Sequence, residues 1–277
     1  MYRQSRTKTS WERDSKWYKE ATGGAGNYFH EHVVIPGARK LLQLSPKAKV
    51  LDVGCGTGVL GRAIPKTVSY LGVDAAPSLI EQAAREDHTP LHTYMVADAT
   101  RPLTIDTDFT HAALILSLQN MKDPFGVFQN IAGHMVPNGM LVIVLNHPCF
   151  RIPRQSSWGI DETNKLQYRR INRYLSPLEI PITMHPGKQN STVTWSYHFP
   201  LSDYAAMLKT NGFVIDTIEE WASDRKSAGS AAKMENRTRR EIPLFLALRA
   251  IKFRPPVKQG AATQAARNQP ADPPPRG

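Results

Sequence analysis

The sequence predicts an α/β protein built on a doubly wound, Rossmann-like sheet of seven strands. Three observations support this fold class. Short apolar runs alternate with helical segments over about 100 residues, as in sheets with crossover helices. The runs are apolar throughout, which is typical of parallel strands that are covered on both faces. A glycine-rich turn joins the first strand to the helix that follows it, and such turns commonly approach a ligand.

Each element has its own local signal. Apolar runs of strand length predict the strands, and a change to helical periodicity predicts the helices. Asp123 is the expected N-cap of its helix, with Pro124 at the first helical position, and Gly212 is an expected C-cap. The expected strands are 49–53, 69–74, 93–97, 111–118, 140–145, 213–219 and 242–251. The expected helices are 11–20, 27–44 with a break at Pro36–Gly37, 59–64, 77–87, 123–136 and 200–211, and residues 137–139 are an expected turn.

The remaining segments suggest three regions along the chain. Residues 1–47 are expected to form an N-terminal helical lid, and residues 48–252 the main domain. Within that domain, 148–199 is predicted to be a long irregular insert on the acceptor side, and 222–240 a polar, basic loop. Residues 253–277 are rich in Pro, Ala, Gln and Arg, which predicts a disordered tail.

Composition narrows the functional classes. The 277 residues carry a net charge of +11, which raises the expectation of a polyanionic partner, although loops and termini contribute much of that charge. No apolar run reaches the length of a membrane helix, so we expect no membrane partner and a cytoplasmic location. Only two cysteines occur, Cys55 and Cys149, without the spacing of a zinc site, so we expect no metal. Composition does not indicate an oligomeric state.

The glycine-rich turn carries the strongest functional signal. Gly54, Gly56 and Gly58 follow the first strand with the spacing G-x-G-x-G, which differs from the G-x-G-x-x-G of dinucleotide binders. Asp74 ends the next strand, where a carboxylate can accept hydrogen bonds from ribose hydroxyls. Asp98 ends the third strand, where a carboxylate can accept a hydrogen bond from an adenine amino group. The structural alternative for both aspartates is loop capping.

These segments resemble the class I S-adenosylmethionine-dependent methyltransferases. DVGCGTG (52–58), GVDAAPSLIEQAA (72–84), VADATRPL (96–103) and HMVPNGMLVIV (134–144) are similar to successive motifs of that family. FVIDTIEEW and IPLFLALRAI are similar to its final antiparallel hairpin. The resemblance implies the strand order 3-2-1-4-5-7-6 with the last strand antiparallel, S-adenosylmethionine as cofactor, and an in-line displacement at its methyl group.

The resemblance also implies roles for particular residues in cofactor binding. Asp52 would orient the loop and face the amino-acid end of the donor, and Gly54 and Gly56 would lie against its methionine and ribose. Asp74 would bind the ribose, Asp98 and Ala99 would contact adenine, and Ser117 and Leu118 would border the sulfonium. Cys55, Gly58 and Ala75 complete the expected cofactor-binding set.

The methyl acceptor should bind beyond the carboxyl ends of the strands. Three segments should converge there: 117–123, 146–158 and the N-terminal helices. His147 is the first candidate for a general base and His198 the second, with loop-bonding histidines as the structural alternative. The other expected substrate-binding residues are Trp17, Tyr18, Tyr28, His32, Asn120, Asn146, Arg151 and Trp158.

Several classes of acceptor remain open at this stage. The HP dipeptide at 147–148 and the long insert resemble the methyltransferase type 11, or quinone-biosynthesis, branch, which implies a small-molecule acceptor. RNA is an alternative because the arginines of the insert alternate with aromatic residues that could stack on bases. Those residues are Arg151, Arg154, Arg169, Arg170 and Arg173, with Phe150, Trp158, Tyr168 and Tyr174. An RNA cytosine-C5 enzyme using Cys149, and a protein that binds the donor without transferring its methyl group, are further alternatives.

Overall fold

The computed structural model describes Glu12, residues 27–183 and residues 193–253. Strands β1 to β5 are Lys49–Val53, Ser69–Asp74, His92–Val96, Phe109–Ile115 and Met135–Asn146. Strands β6 to β11 are Ser156–Asp161, Leu166–Ile171, Leu178–Thr183, Val193–His198, Phe213–Trp221 and Phe245–Lys252. Helices α1 to α6 are Ile35–Leu42, Val59–Ala63, Pro77–Glu86, Pro124–His134, Leu201–Thr210 and Ala232–Glu241.

Seven of the strands form one sheet, in the order β3-β2-β1-β4-β5-β11-β10. Strands β1 to β5 pair in parallel, whereas β11 is antiparallel to both of its neighbours, β5 and β10. Because β10 and β11 are the sixth and seventh strands of this sheet, the predicted order 3-2-1-4-5-7-6 with an antiparallel last strand is confirmed.

The central strands are buried on both faces, as their continuous apolar sequence predicted. Successive residues of β1 point to opposite faces of the sheet. Leu51 packs in one cluster with Phe128 of α4 and Leu208 of α5. Val50 packs in the other cluster, with Leu42 of α1. All five of these side chains are fully buried, so two helical layers enclose the sheet.

Three predicted segments differ from the structure. The insert 148–199 was predicted to be irregular, but it contains two antiparallel hairpins, β6–β7 and β8–β9. The loop predicted over 222–240 contains most of α6. The turn predicted over 137–139 lies inside β5, where Asn138 adopts a φ of 62° and the pairing with β4 shifts register. A left-handed residue of this kind interrupts a strand locally without ending it.

The N-terminal and C-terminal predictions fall largely outside the described residues. The helix expected over 11–20 is described at Glu12 alone, and the predicted tail at Phe253 alone. Trp17 and Tyr18 also lie outside the described residues. The helix expected over 27–44 is a π-helical turn, His30–Val34, that continues into α1, with Pro36 in the first turn of α1. No helix among the described residues is both long enough and apolar enough to cross a membrane.

The N-cap of α4 gives a first prediction. The side chain of Asp123 accepts a hydrogen bond from the backbone N–H of Gly126 at 3.0 Å, as its position before Pro124 predicted. Asp123→Ala should lower the free energy of unfolding by about 1 kcal/mol, because a helix N–H loses its acceptor. Urea unfolding measures this change, and Asp123→Asn should recover most of the loss. Equal stability of the alanine variant and the parent would contradict the assignment.

Candidate donor and acceptor sites

The glycine loop after β1 has a backbone that favours glycine at three positions. Gly54, Gly56 and Gly58 have φ values of 72°, 55° and 76°, in the left-handed region. The backbone N–H groups of Gly54 and Cys55 donate to the carbonyl of Val73, at 2.8 and 3.1 Å, which holds the loop against β2. A Cβ atom on Gly54 would lie 2.5 Å from the Cβ of Ser117. The loop therefore packs closely against the end of β4.

A cleft of about 300 Å³ opens at the carboxyl ends of β1, β2, β3 and β4. This size lies at the lower end of the range for small-molecule sites. The sequence predicted its position, because parallel α/β sheets bind ligands beyond the carboxyl ends of their strands. The cofactor-binding residues predicted from the sequence that line it are Gly54, Gly56, Asp74, Ala75, Asp98, Ala99 and Ser117.

Asp74 links the glycine loop to the start of α3. Its two carboxylate oxygens accept hydrogen bonds from the backbone N–H groups of Gly56 (3.0 Å) and Ala76 (2.9 Å). Burial raises the pKa of the Asp74 carboxyl above its ordinary value, and these two N–H groups oppose that rise. Each oxygen of a carboxylate has two acceptor positions, so Asp74 can cap the loop and still accept hydrogen bonds from a ligand.

Asp98 and Ser117 occupy two other sides of the cleft. One oxygen of Asp98 accepts hydrogen bonds from the N–H and the hydroxyl of Thr100, at 3.0 and 2.7 Å. Its other oxygen lies 3.6 Å from the guanidinium of Arg101. The hydroxyl of Ser117 donates to the carbonyl of Val53 at 2.7 Å, which ties the end of β4 to the end of β1. Both residues therefore combine a structural bond with a position in the cleft wall.

Four predicted cofactor-binding residues do not line the cleft. Cys55 is buried, and Gly58 packs on the hydroxyl of Tyr94. Leu118 is buried in the core, because β4 ends at Ile115, earlier than predicted. Asp52 was expected to face the donor, but its side chain is 2% exposed and accepts a hydrogen bond from the hydroxyl of Tyr70 at 2.6 Å. Asp52 therefore bonds to β2 and does not line the cleft.

The environment of Asp52 predicts a pH-dependent stability. Burial raises the pKa of the Asp52 carboxyl from 3.8 to about 7; the Tyr70 hydroxyl opposes the rise, and the charge of Asp74 adds to it. Between about pH 4 and 7 the unfolded chain ionises this carboxyl while the folded chain resists ionisation, so the folded state loses stability as pH rises, by at most about 4 kcal/mol. Urea unfolding gives the free energy of unfolding of the parent and of Asp52→Asn. The parent's value minus the variant's value should fall between pH 5 and pH 8. A difference that stays constant would contradict this environment.

The cleft also includes residues that the sequence analysis did not name individually. Tyr197 of the strand β9 lines the cleft, and so does Lys122, which pairs with Glu179 of β8 at 2.9 Å. Leu116 lines the cleft with a φ of 54°, a costly conformation for a residue with a side chain. Strain of this kind is often found at ligand sites. The other lining residues outside the predicted set are Leu79, Ala97, Thr100, Ile115 and Met121.

The predicted acceptor residues within the described part of the chain are distributed over four places. Asn120 lines the cleft at the ends of β1 to β4, which is called the donor cleft from here on because residues expected to bind the methyl donor line it. Asn146 and Arg151 line a second, smaller cavity beside it. Tyr28 and His32 stack on each other at 4.3 Å, and the Tyr28 hydroxyl donates to Asp224 at 3.1 Å, so they contact the segment after β10. They do not line either cavity, and neither does Trp158, which is 42% exposed and packs against the guanidinium of Arg169.

Both candidate catalytic histidines are buried and engaged in structural contacts. His147 contacts Glu220 through Nε2 at 2.7 Å, and its Nδ1 accepts a hydrogen bond from the N–H of Cys149 at 3.2 Å. His198 contacts the carbonyl of Tyr174 through Nε2 at 2.7 Å. Burial lowers the pKa of both imidazoles. Neither lines the donor cleft, although His198 lines the second cavity, so the general-base role predicted for them gains no support from their positions.

No group of three or more His, Cys, Asp or Glu side chains within residues 27–183 and 193–253 is placed to hold a metal ion. The cleft is thus defined by glycines, two aspartates, small apolar residues and the tyrosine of β9.

The fold and the position of the cleft resemble those of the class I S-adenosylmethionine-dependent methyltransferases. Residues 51–141 match the family model described as "Methyltransferase domain". The resemblance expected from the motifs is confirmed over this segment, which contains most of the cleft. The family implies S-adenosylmethionine as cofactor.

Comparison with known proteins gives two partial matches. An "O-methyltransferase" of Pyrenophora dematioidea is 32% identical over 117 residues, which is 39% of this chain and 44% of that protein. The "Biotin biosynthesis bifunctional protein BioCD" of Bordetella avium (strain 197N) is 28% identical over 105 residues, 37% of this chain and 22% of that protein. The matches thus span less than half of these relatives.

A solved structure of an S-adenosylmethionine-dependent methyltransferase from Mesorhizobium loti has the same fold. Its TM-score is 0.63 at 23% identity, over 78% of this chain and 96% of that one.

Proposed function

We propose that this protein transfers the methyl group of S-adenosylmethionine to a small-molecule oxygen, nitrogen or carbon acceptor. The observation that carries the proposal is the cleft itself. It combines a left-handed glycine loop, two aspartates at successive strand ends and an opening beside Ser117, all in the segment that matches a methyltransferase domain. The adenosine would lie on the side of Asp74 and Asp98, and the methionine between the glycine loop and Ser117.

Residues of the cleft would position the two reactants. S-adenosylmethionine, when bound, supplies a methyl group on a sulfonium, which is already activated for displacement. Alignment of the acceptor with that methyl can then provide much of the acceleration, up to roughly 7–11 kcal/mol. Burial raises the pKa of the Tyr197 phenol, so this hydroxyl stays protonated and can donate a hydrogen bond to an acceptor. Tyr197 is therefore proposed to position the acceptor, not to remove its proton.

The presence of the hairpin β8–β9 beside the cleft favours a small acceptor. Tyr197 of β9 lines the cleft, and the ion pair of Lys122 with Glu179 attaches β8 to the segment after β4. An acceptor would have to share the cleft with this hairpin. Arg169 is one of the arginines that the RNA alternative assigns to nucleic-acid binding. Its guanidinium donates to the carbonyl of Phe150 and to the hydroxyl of Ser156, both at 2.7 Å, and so has structural partners within the insert.

A labelling experiment tests this proposal. Purified protein is incubated with radiolabelled S-adenosylmethionine and an extract of its own host, with and without RNase, and the label is separated by size. We expect label in small compounds that RNase does not affect, and none with Asp74→Ala. Label in RNase-sensitive polymer would overturn the small acceptor in favour of RNA. Donor binding without transfer in any extract would indicate a protein that binds the donor only.

A further inference from the structure

A second cavity adjoins the donor cleft on the side of the insert. Its volume is about 20 Å³, room for one or two water molecules, and Tyr197 lies in the walls of both spaces. The end of β5 supplies Asn146, and the segment that follows supplies Arg151. Strand β9 supplies His198. A ligand group in this cavity would therefore be separated from the donor cleft by one tyrosine side chain.

Arg151 lines this cavity, and its guanidinium has few partners among the described residues. Its Nη1 donates to the carbonyl of Leu244 at 3.3 Å, and its guanidinium lies over the ring of Phe245 at 5.1 Å. A guanidinium has five N–H donors, so one carbonyl leaves most of them available. Within the described part of the chain Arg151 forms no ion pair with an acidic side chain. Arg151 is half-buried, and partial removal of a cation from water without a counterion is costly, which suggests that the partner comes from outside the chain.

The surroundings of Arg151 reinforce its positive potential. Burial lowers the pKa of the Arg151 guanidinium, and the positive charge of Arg169 lowers it further. Arg169 is fixed by its hydrogen bonds to Phe150 and Ser156, so its charge is held near the cavity. None of the described residues that line the cavity is acidic. Asp203 acts electrostatically on His198 but forms no ion pair with Arg151.

We propose that this second cavity is a carboxylate subsite, in which Arg151 binds a carboxylate of the methyl acceptor while the atom to be methylated lies across Tyr197 in the donor cleft. This inference rests on the proposed function and narrows its substrate class to small carboxylic acids with a nearby nucleophilic atom. The planar guanidinium fork matches a carboxylate. The small volume favours the two oxygens of a carboxylate over a tetrahedral phosphate.

Binding of simple anions tests the subsite without knowledge of the acceptor. The protein is first saturated with S-adenosylhomocysteine, so that added anions cannot occupy the donor cleft. Acetate, its neutral isostere acetamide and inorganic phosphate are then titrated while NMR follows the side-chain Nε–H of Arg151, assigned by its loss in Arg151→Lys. The matched control is Arg85→Gln, which removes one exposed arginine of α3 and so changes the net charge equally.

We expect acetate to shift the Arg151 signal saturably, in the parent and in Arg85→Gln alike, and acetamide to leave it unchanged. Arg151→Gln, followed through neighbouring backbone amides, should bind acetate about ten- to hundredfold more weakly, and Arg151→Lys should be intermediate. A signal that ignores acetate, or that responds equally to acetamide, would overturn the subsite. Tighter binding of phosphate than of acetate would overturn the assignment of the cavity to a carboxylate. Failure to bind S-adenosylhomocysteine would count against the proposed function alone, because the titration can be repeated without it.

Discussion

Gly54→Ala should remove most of the affinity for S-adenosylmethionine. The alanine Cβ would lie 2.5 Å from the Cβ of Ser117, and the backbone φ of 72° is itself unfavourable for alanine. The loop can relieve this overlap only by moving away from β4, which displaces the backbone that faces the donor. Strain of about 2–4 kcal/mol corresponds to a loss of about thirty- to a thousandfold in affinity if donor binding requires the original loop geometry. Isothermal titration calorimetry measures the loss.

Gly212→Ala is the matched control for this variant. Gly212 also has a left-handed backbone, with a φ of 79°, but a Cβ there would meet no atom within 4 Å. The control should lose about 1 kcal/mol of unfolding free energy from backbone strain and keep its affinity for the donor. If the two variants bound the donor equally well, close packing of the glycine loop would not be required for binding.

Asp74→Ala should lower donor affinity about a hundredfold or more. On the proposed role of Asp74, the variant removes charge-assisted hydrogen bonds to the ribose hydroxyls, each worth about 1.5–3 kcal/mol. It also leaves the N–H groups of Gly56 and Ala76 without their acceptor. Asp216→Ala is a suitable control. Asp216 of β10 forms an ion pair with Arg249 of β11 and does not line the cleft.

A donor analogue separates the two parts of this effect. The analogue is S-adenosylhomocysteine that lacks the ribose hydroxyls. The parent should bind this analogue much more weakly than it binds S-adenosylhomocysteine. Asp74→Ala should bind the two compounds with nearly equal affinity. A double-mutant cycle of this kind isolates the contact between Asp74 and the ribose. An equal loss from the analogue in both proteins would mean that Asp74 only caps the loop.

The donor half of the protein could be predicted because its signals are local in the sequence. A strand, a glycine turn and a helix follow one another within the segment Val50–Gly61, and an aspartate ends each of the next two strands. Chain geometry alone then brings Asp74 and Asp98 to the same edge of the sheet. Asp52 belongs to the same motif, and its role toward the donor stays a prediction. Its side chain points to Tyr70, and the sequence contains no signal for which side of the loop a residue supports.

The acceptor half could not be predicted because its packing does not follow hydrophobicity. In β9 the apolar Val193 and Trp195 are exposed, while Thr194 and His198 are buried. A prediction from residue types would therefore bury the wrong face of this strand. Tyr197 and His198 are neighbours on opposite faces of β9, and of the two only Tyr197 lines the cleft. The hairpin β6–β7 was missed for a similar reason, since Trp158 and Tyr168 are among its exposed residues.

Calorimetric titration of the parent protein with S-adenosylmethionine, and separately with NAD, tests the central claim most directly. The account predicts one molecule of S-adenosylmethionine bound per chain, with affinity that falls in Gly54→Ala and Asp74→Ala but not in Gly212→Ala, and no heat from NAD. Binding of NAD in place of S-adenosylmethionine, or S-adenosylmethionine binding unchanged by both cleft variants, would contradict it.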